Sequence, residues 1–243
     1  MLQFRTMNSA GMLSVAENLA RVQERTQAAA RRAGRADEVT LVAVTKSVPP
    51  ERIAEAYRAG VRHFGENRLQ EFEDKRPLLA LPSATWHMVG HVQTNKARRA
   101  VELFHRVDSL DSLRLAEKLA AAAREQGRGL PVLLQVHLGE EETKHGVAPA
   151  DLLAVVEEVA ALDGLTLEGL MTIPPFLDPP ERVRPFFRRL RELAEEIGRR
   201  RLARRAMREL SMGMSHDFEV AIEEGATQVR LGTALFGPRP ERR

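Results

Sequence analysis

Apolar positions along the chain switch repeatedly between a helical period and short continuous runs. Ser14-x-x-Glu17 has the spacing of a capping box, and Val15, Leu19 and Val22 follow on one helical face. Residues 39–45 are apolar and rich in β-branched side chains, as in a parallel strand buried on both faces. Pro49-Pro50 followed by Ile53, Ala56 and Tyr57 predicts a helix. Further strands are expected at 61–64, 85–89, 104–107, 131–136, 166–171, near 209–212, and at 226–231. Between them, 112–125 carries Leu115, Leu119 and Ala123 on one stripe and stops at Gly127. A helix with Pro149 in its first turn, then Leu152, Val155, Val156 and Val159, stops at Gly164. Residues 181–201 place Phe186, Leu190, Leu193 and Ile197 on a third stripe. Eight strands alternating with helices in 243 residues point to a single (β/α)8 TIM barrel of the α/β class. A doubly wound open sheet is the alternative. No stretch reads as a linker between domains. The proline-rich 173–180 is too short for one and reads as a stiff loop leaving the sixth strand.

Composition narrows the function classes. Hydrophobic residues make up 43% of the chain, enough for a substantial core. No run approaches 18 uncharged apolar residues, so no transmembrane helix and no membrane partner are expected. Met1-Leu2-Gln3-Phe4-Arg5 lacks the apolar core of a signal peptide, which leaves a cytoplasmic location as the expectation. The absence of cysteine excludes disulfides, thiolate metal sites and a cysteine nucleophile. The net charge is only +3, and the pI near 9.7 reflects the high pKa of arginine. Basic clusters occur at Arg31-Arg32-x-x-Arg35 and at Arg199-Arg200-Arg201, Arg204-Arg205 and Arg208. No aromatic residue interleaves them, and Glu192, Glu195 and Glu196 adjoin the second. A solvated helix face therefore explains them better than a nucleic-acid surface, and no nucleic-acid partner is expected.

The chemistry collects at strand ends. Lys46 closes the first strand, and it is one of five lysines beside 32 arginines. A guanidinium stays protonated whereas a partly buried lysine can lose its proton, so a lysine kept here suggests Schiff-base chemistry. Polar residues follow or end the other strands: Glu66-Asn67, His87 with His91, Asp108-Ser109, His137, Thr172, Met214-Ser215-His216-Asp217, and Arg230 with Gly232-Thr233. Barrels keep their chemistry on that face. The last two exits suit an anion. Ser215 can cap the helix starting near Asp217 and can also face a phosphate, and Gly232-Thr233 adds an uncrowded amide and a hydroxyl. Taken separately, Ser215 is an ordinary cap and Gly232 an ordinary turn. With Lys46 they describe a ligand carrying a phosphate and an aldehyde, which pyridoxal 5′-phosphate fits.

Seven motifs then occur in order: Ala43-Val44-Thr45-Lys46; Phe64-Gly65-Glu66-Asn67-x-x-Gln70-Glu71; Trp86-His87-Met88-Val89-Gly90-x-x-Gln93-Thr94-Asn95-Lys96; Lys144-x-Gly146; Glu168-Gly169-Leu170-Met171-Thr172-Ile173; Leu210-Ser211-Met212-Gly213-Met214-Ser215-x-Asp217; and Val229-Arg230-Leu231-Gly232-Thr233-Ala234-Leu235-Phe236-Gly237. In sequence and spacing they resemble the pyridoxal phosphate homeostasis protein family. The resemblance spans residues 12–238 and leaves 1–11 as an extension and 239–243 as a tail. It implies a barrel like the alanine racemase N-terminal domain (fold type III). It also implies a Schiff base between Lys46 and the cofactor, a phosphate held by Ser215, Gly232 and Thr233, Arg230 facing the pyridine nitrogen, and Asn67 near the ring hydroxyl. The family's role is carriage or regulation of vitamin B6 cofactor and amino-acid pools, with no established turnover. Apo-enzymes that take up the cofactor are the implied protein partners, and a monomer is expected. Lys96 and Lys144 match other family lysines. His91 and His145 depart from residues common in the family.

The residues also argue against strong catalysis. A cation against the pyridine nitrogen keeps that nitrogen unprotonated and makes the ring a poorer electron sink. Racemisation needs a second acid/base opposite the lysine, for which alanine racemase uses a tyrosine from a second domain. The single tyrosine, Tyr57, falls on an apolar helical stripe. His87, His137 and His216 are nominal substitutes. No HExxH motif occurs among the seven histidines, so no metal site is expected. Three readings stay open: a non-catalytic cofactor-binding protein, a weak racemase or lyase, and a nucleic-acid-binding barrel.

Overall fold

The computed structural model describes residues 14–139, 145–203 and 206–238. The expected extension at 1–11, the tail at 239–243, Lys144 and Arg204-Arg205 lie outside the described residues. Eight parallel strands close into a barrel in sequential order. They are β1 (Thr40–Val44), β2 (His63–Glu66), β3 (Thr85–Met88), β4 (Arg106–Leu110), β5 (Leu130–Gln135), β6 (Leu165–Met171), β7 (Glu209–Met214) and β8 (Gln228–Leu231). Closure is made by β8 against β1, with Thr40 opposite Gln228 and Ala43 opposite Leu231. The open sheet considered above is thereby excluded. Helix α1 (Val15–Arg32) precedes β1. After each strand in turn comes α2 (Pro50–Arg58), α3 (Leu69–Lys75), α4 (Ala97–Leu103), α5 (Leu113–Glu125), α6 (Leu152–Ala161), α7 (Arg184–Arg200), α8 (Phe218–Glu223) and α9 (Thr233–Phe236).

Local chemistry accounts for these elements. Ser14 and Glu17 form the reciprocal capping box that starts α1, and Val15, Leu19 and Val22 are buried. The same helix is tied to later ones: Asn18 Nδ2 donates to Leu235 O at 2.9 Å, and the Arg25 guanidinium lies 4.6 Å from the Phe218 ring centre. Ser112 Oγ caps α5, whose Leu115, Leu119 and Ala123 stripe is buried. The main core lies between the strands and the helices. On one side Trp86 and Phe72 meet at 4.5 Å and Phe72 and Phe104 at 4.9 Å, so β3, α3 and the end of α4 share one aromatic cluster.

Several boundaries differ from the sequence expectation, each for a backbone reason. Val61 was expected to open the second strand. Its N–H instead bonds Ala56 O while Gly60 sits at φ +109, closing α2 with a Schellman cap, and β2 begins at His63. Gly225 and Ala226 close α8 in the same way, so β8 starts at Gln228. Phe104 N bonds Ala100 O and ends α4, which moves β4 to Arg106–Leu110. Glu66, Asp108, Ser109 and Met214 therefore lie within strands rather than after them. Pro149 sits in a turn before α6, which starts at Leu152. The expected helix at 181–201 is a 3₁₀ turn, Pro180–Val183, followed by α7, and Phe187 rather than Phe186 joins Leu190, Leu193 and Ile197 in the core.

Candidate functional site

One cavity of about 430 Å³ opens among the loops at the carboxyl ends of the strands. Lys46, Asn67, Ser215, Arg230, Gly232 and Thr233, the six residues singled out in the sequence, all line it. They arrive from the exits of β1, β2, β7 and β8, and no two of those elements other than β1–β2, β7–β8 and β8–β1 are neighbours in the sheet. Lys46 is half-buried there. Of the other described lysines, Lys75 is engaged behind the cavity, while Lys96 and Lys118 are exposed and away from it.

The turn that aims Lys46 is built from charged groups. Ser47 adopts a left-handed φ of 59°, a strained conformation for a non-glycine residue. Its N–H donates to Glu71 Oε1 at 2.5 Å, and Lys75 Nζ donates to Thr45 O at 2.8 Å and to Glu71 Oε1 at 2.6 Å. Thr45 Oγ1 donates to the buried Glu66 Oε1 at 2.6 Å, and Lys75 Nζ lies 3.2 Å from that same oxygen. Burial raises the Glu66 carboxyl pKa, with Lys75 and Thr45 opposing the shift. The sequence marked Glu66 as a strand-end and motif position, Glu71 only as a motif position, and gave Lys75 no role. Its signal was the i, i+4 spacing from Glu71.

At the other wall, β7 and β8 present an anion corner. Ser215 was expected to cap α8. That helix is instead entered through Asp217, whose Oδ1 accepts from Met214 N at 2.6 Å, and Ser215 Oγ accepts from the amides of Gly232 at 3.2 Å and Ala234 at 3.1 Å. Gly213, at φ +94, turns the end of β7 into this corner, and a Cβ there would lie 2.5 Å from Ala221 Cβ. Two hydroxyls and the amides opening α9 thus converge near the barrel positions where phosphates are commonly held.

Arg230 forms a fixed cation in the cavity wall. Its NH1 donates to Ser211 Oγ at 2.7 Å and its NH2 to Thr172 O at 2.8 Å. Burial lowers its pKa to about 10, opposed by the carboxylates of Asp108 and Asp217, so it remains charged at neutral pH. Behind it an unbroken hydrogen-bonded line runs through the barrel. Ser211 Oγ accepts from Gln228 Nε2 at 2.8 Å, and Gln228 Nε2 donates to Asp108 Oδ2 at 2.8 Å. Asp108 meets His87 Nδ1 at 2.7 Å, and His87 Nε2 meets His63 Nδ1 at 3.0 Å. Arg106 Nε completes the set on Asp108 Oδ1 at 2.7 Å. Burial alone would raise the Asp108 pKa, but His87 and Arg106 outweigh it and hold the carboxyl below its ordinary range. His87 is sealed in this line and does not reach the cavity, and His137 does not line it either. Of the three histidines proposed as a second acid/base, only His216 does, with its ring 4.6 Å from that of Phe176. His91, grouped in the sequence with the strand-end polar residues, also lines it, as do His145 and Gln135, to which the sequence assigned no part there.

The donor set fits a phosphorylated aldehyde: one amine, one buried guanidinium, two hydroxyls and a cluster of amides around a cavity of suitable size, roughly 300–1,000 Å³ for small-molecule sites. The family model described as "Alanine racemase, N-terminal domain" matches residues 18–240, which defines the class of barrel. The alanine racemase of Clostridium difficile 630 superposes with a TM-score of 0.70 at 15% identity, covering 94% of this chain and 56% of that one, a likeness of fold alone. A much nearer relative is the pyridoxal phosphate homeostasis protein of Aquifex aeolicus (strain VF5), 46% identical over 228 residues that cover 93% of this chain and 99% of that protein. PipY of Synechococcus elongatus PCC7942, whose structure has been solved with PLP bound, is 41% identical with a TM-score of 0.82, covering 92% of this chain and 100% of that one. The chain belongs to the pyridoxal phosphate homeostasis protein family.

Proposed function

We propose that the protein binds pyridoxal 5′-phosphate in this cavity and serves intracellular homeostasis of the vitamin B6 cofactor and of amino-acid pools, without efficient turnover of its own. The observation that carries the reading is the convergence of Lys46, Asn67, Ser215, Arg230, Gly232 and Thr233 on one cavity. Lys46 supplies the amine that holds the aldehyde carbon. Ser215, Gly232 and Thr233 hold the phosphate, Arg230 faces the ring nitrogen, and Asn67 lies beside the ring hydroxyl. When bound, the cofactor supplies an exchangeable aldehyde and an electron-withdrawing ring. Arg230 limits the second property, because its charge disfavours a proton on the nitrogen it faces.

The second acid/base is poorly provided for. Tyr57 is half-buried on α2 with the Arg62 guanidinium 4.3 Å from its ring, and it does not line the cavity. A weak racemase or lyase is the second reading, favoured by His216 in the cavity wall. Within the basic helix α7, Arg184 is matched by Glu181 and Glu223, Arg188 by Glu224, Arg191 by Glu195 and Arg200 by Glu196, which speaks against a nucleic-acid reading. No helix among the described residues is long and apolar enough to cross a membrane. The protein acts in the cytoplasm as a monomer and passes cofactor to apo-enzymes. The test follows deuterium exchange at the α-carbon of L- and D-amino acids while cofactor transfer to an apo-enzyme is measured in parallel. Transfer with negligible exchange is expected. Exchange with racemisation at enzymatic rates would overturn the carrier reading in favour of catalysis.

A further inference from the structure

We propose that His91, Asp111 and His145 form a binding site for a divalent transition-metal ion of the zinc class on the rim of the cavity. The three residues come from the loops after three consecutive strands, β3, β4 and β5. Asp111 Oδ2 lies 2.7 Å from His91 Nδ1 and 3.7 Å from His145 Nδ1, and one ligand atom from each residue falls within 4.8 Å of the others. Ligands bound at about 2.0–2.2 Å to one tetrahedral ion stand roughly 3.3–3.5 Å apart. The two carboxylate–imidazole distances bracket that value, so a small adjustment of two exposed rings suffices. Those rings stack at 3.7 Å with an interplanar angle of 7° and turn their Nδ1 atoms toward the same carboxylate oxygen.

The backbone behind each ligand is held in place. Ser112 Oγ donates to Asp111 Oδ1 at 3.1 Å, which leaves Oδ2 for the two imidazoles. Ser109 Oγ donates to the carbonyl of Gly90 at 2.6 Å, directly before His91. Gln135 Nε2 donates to the carbonyl of His145 at 2.7 Å. The following Gly146 sits at φ +137, and a Cβ there would lie 2.9 Å from His137 N. A hydrogen bond to a ligating carboxylate, as Ser112 makes to Asp111, accompanies metal ligands, and the two main-chain bonds fix where the imidazoles leave the backbone. Two imidazoles and one carboxylate without sulfur suit zinc, nickel, cobalt or iron(II), and three protein ligands leave a coordination position open. Because His91 and His145 belong to the cavity lining, an ion here fastens the β3, β4 and β5 loops across one side of the mouth and slows release of what the cavity holds. That consequence rests on the cofactor reading above. Metal binding itself does not.

The test titrates the full-length, tag-free, cofactor-free protein with zinc, in competition with a chromophoric chelator. One zinc per chain is expected. His91→Ala, His145→Ala and Asp111→Asn should each weaken it at least about 10- to 100-fold, the range known for lesser, outer-sphere changes. Cobalt(II) in place of zinc should give a visible d–d spectrum that the same variants lose while their circular dichroism stays that of the wild type. A wild type that binds no zinc, or variants that bind it unchanged, would overturn the site and leave a hydrogen-bonded His91–Asp111 pair with a stacked neighbour. In the cofactor-loaded protein, zinc should slow cofactor release by the wild type and not by His91→Ala. Zinc binding with unchanged release would overturn the clasp while keeping the site. Failure of the cofactor to bind would sink the functional reading and leave the zinc titration standing.

Discussion

Removing the hydroxyl of Thr233 should weaken cofactor binding more than removing that of Ser215, because only one of the two has competing work in the protein. A hydroxyl bonded to an ionised phosphate contributes about 1.5–3 kcal/mol, which is roughly 10- to 150-fold in Kd. Thr233 is exposed at the start of α9 and its hydroxyl makes no hydrogen bond among the described residues, so Thr233→Val should lose that contribution whole. Ser215 Oγ already accepts from the amides of Gly232 and Ala234 at 3.2 and 3.1 Å. A phosphate arriving in this corner takes those amides for itself. Each such neutral bond is worth about 0.5–1.5 kcal/mol; at these lengths and near solvent the low end applies, so the pair contributes roughly 1 kcal/mol. Ser215→Ala removes the competitor together with the contact. Its net loss should be about 0.5–2 kcal/mol, or roughly 2- to 30-fold in Kd. Cofactor-free wild type, both single variants and the double variant would be titrated with pyridoxal phosphate and followed by visible absorbance. Affinity unchanged in the double variant would place the phosphate elsewhere. A loss for Ser215→Ala an order of magnitude larger than for Thr233→Val would refute the competition argument.

Borohydride reduction of the cofactor-loaded protein should fix the adduct on Lys46, and Lys46→Arg should carry none, since a guanidinium cannot serve as the amine; peptide mass spectrometry that finds the principal adduct on Lys96 or Lys144 would sink the assignment. Asp108→Asn should cost about 2–3 kcal/mol at neutral pH, less than the 3–5 kcal/mol of an outright broken buried pair because the amide keeps part of the network. The Asp108 carboxyl is held below its ordinary pKa of 3.8, so its contribution is complete above about pH 4 and is lost as pH falls below that value. Urea unfolding across pH should show the gap between wild type and variant closing on the acid side, and a gap that widens there would contradict the network. Gly90→Ala places a Cβ against the Asn67 carbonyl, so the β3 exit must shift; a loss of about 1–3 kcal/mol in urea unfolding is expected, and a variant as stable as the wild type would show that the close approach is not needed.

The sequence by itself determined the fold class and grouped six of the residues that line the cavity. Both follow from local signals that repeat. Continuous apolar runs such as 39–45 leave a strand no partner but covered parallel neighbours, and each run is followed by a helix-forming pattern that brings the chain back. Once eight such units close, every strand exit faces the same end, which is why Lys46, Asn67, Ser215, Arg230, Gly232 and Thr233 could be grouped while 20 or more residues lie between some of them and the next. Element boundaries were less legible. A Schellman cap and the first residue of a strand both want an apolar side chain after glycine, and only the hydrogen bond from Val61 N to Ala56 O distinguishes them. Tertiary structure alone decided what the polar side chains do. Asp108 belongs to a buried line ending at Arg230 because closure sets β4 across the interior from β8, a relation that no sequence spacing expresses. Nor could His91, Asp111 and His145 be read as one cluster from spacing. Motif spacing detects ligands that share a helix or a turn, whereas these stand on three separate strand exits, brought within reach by the pairing of β3, β4 and β5 as neighbours in the sheet.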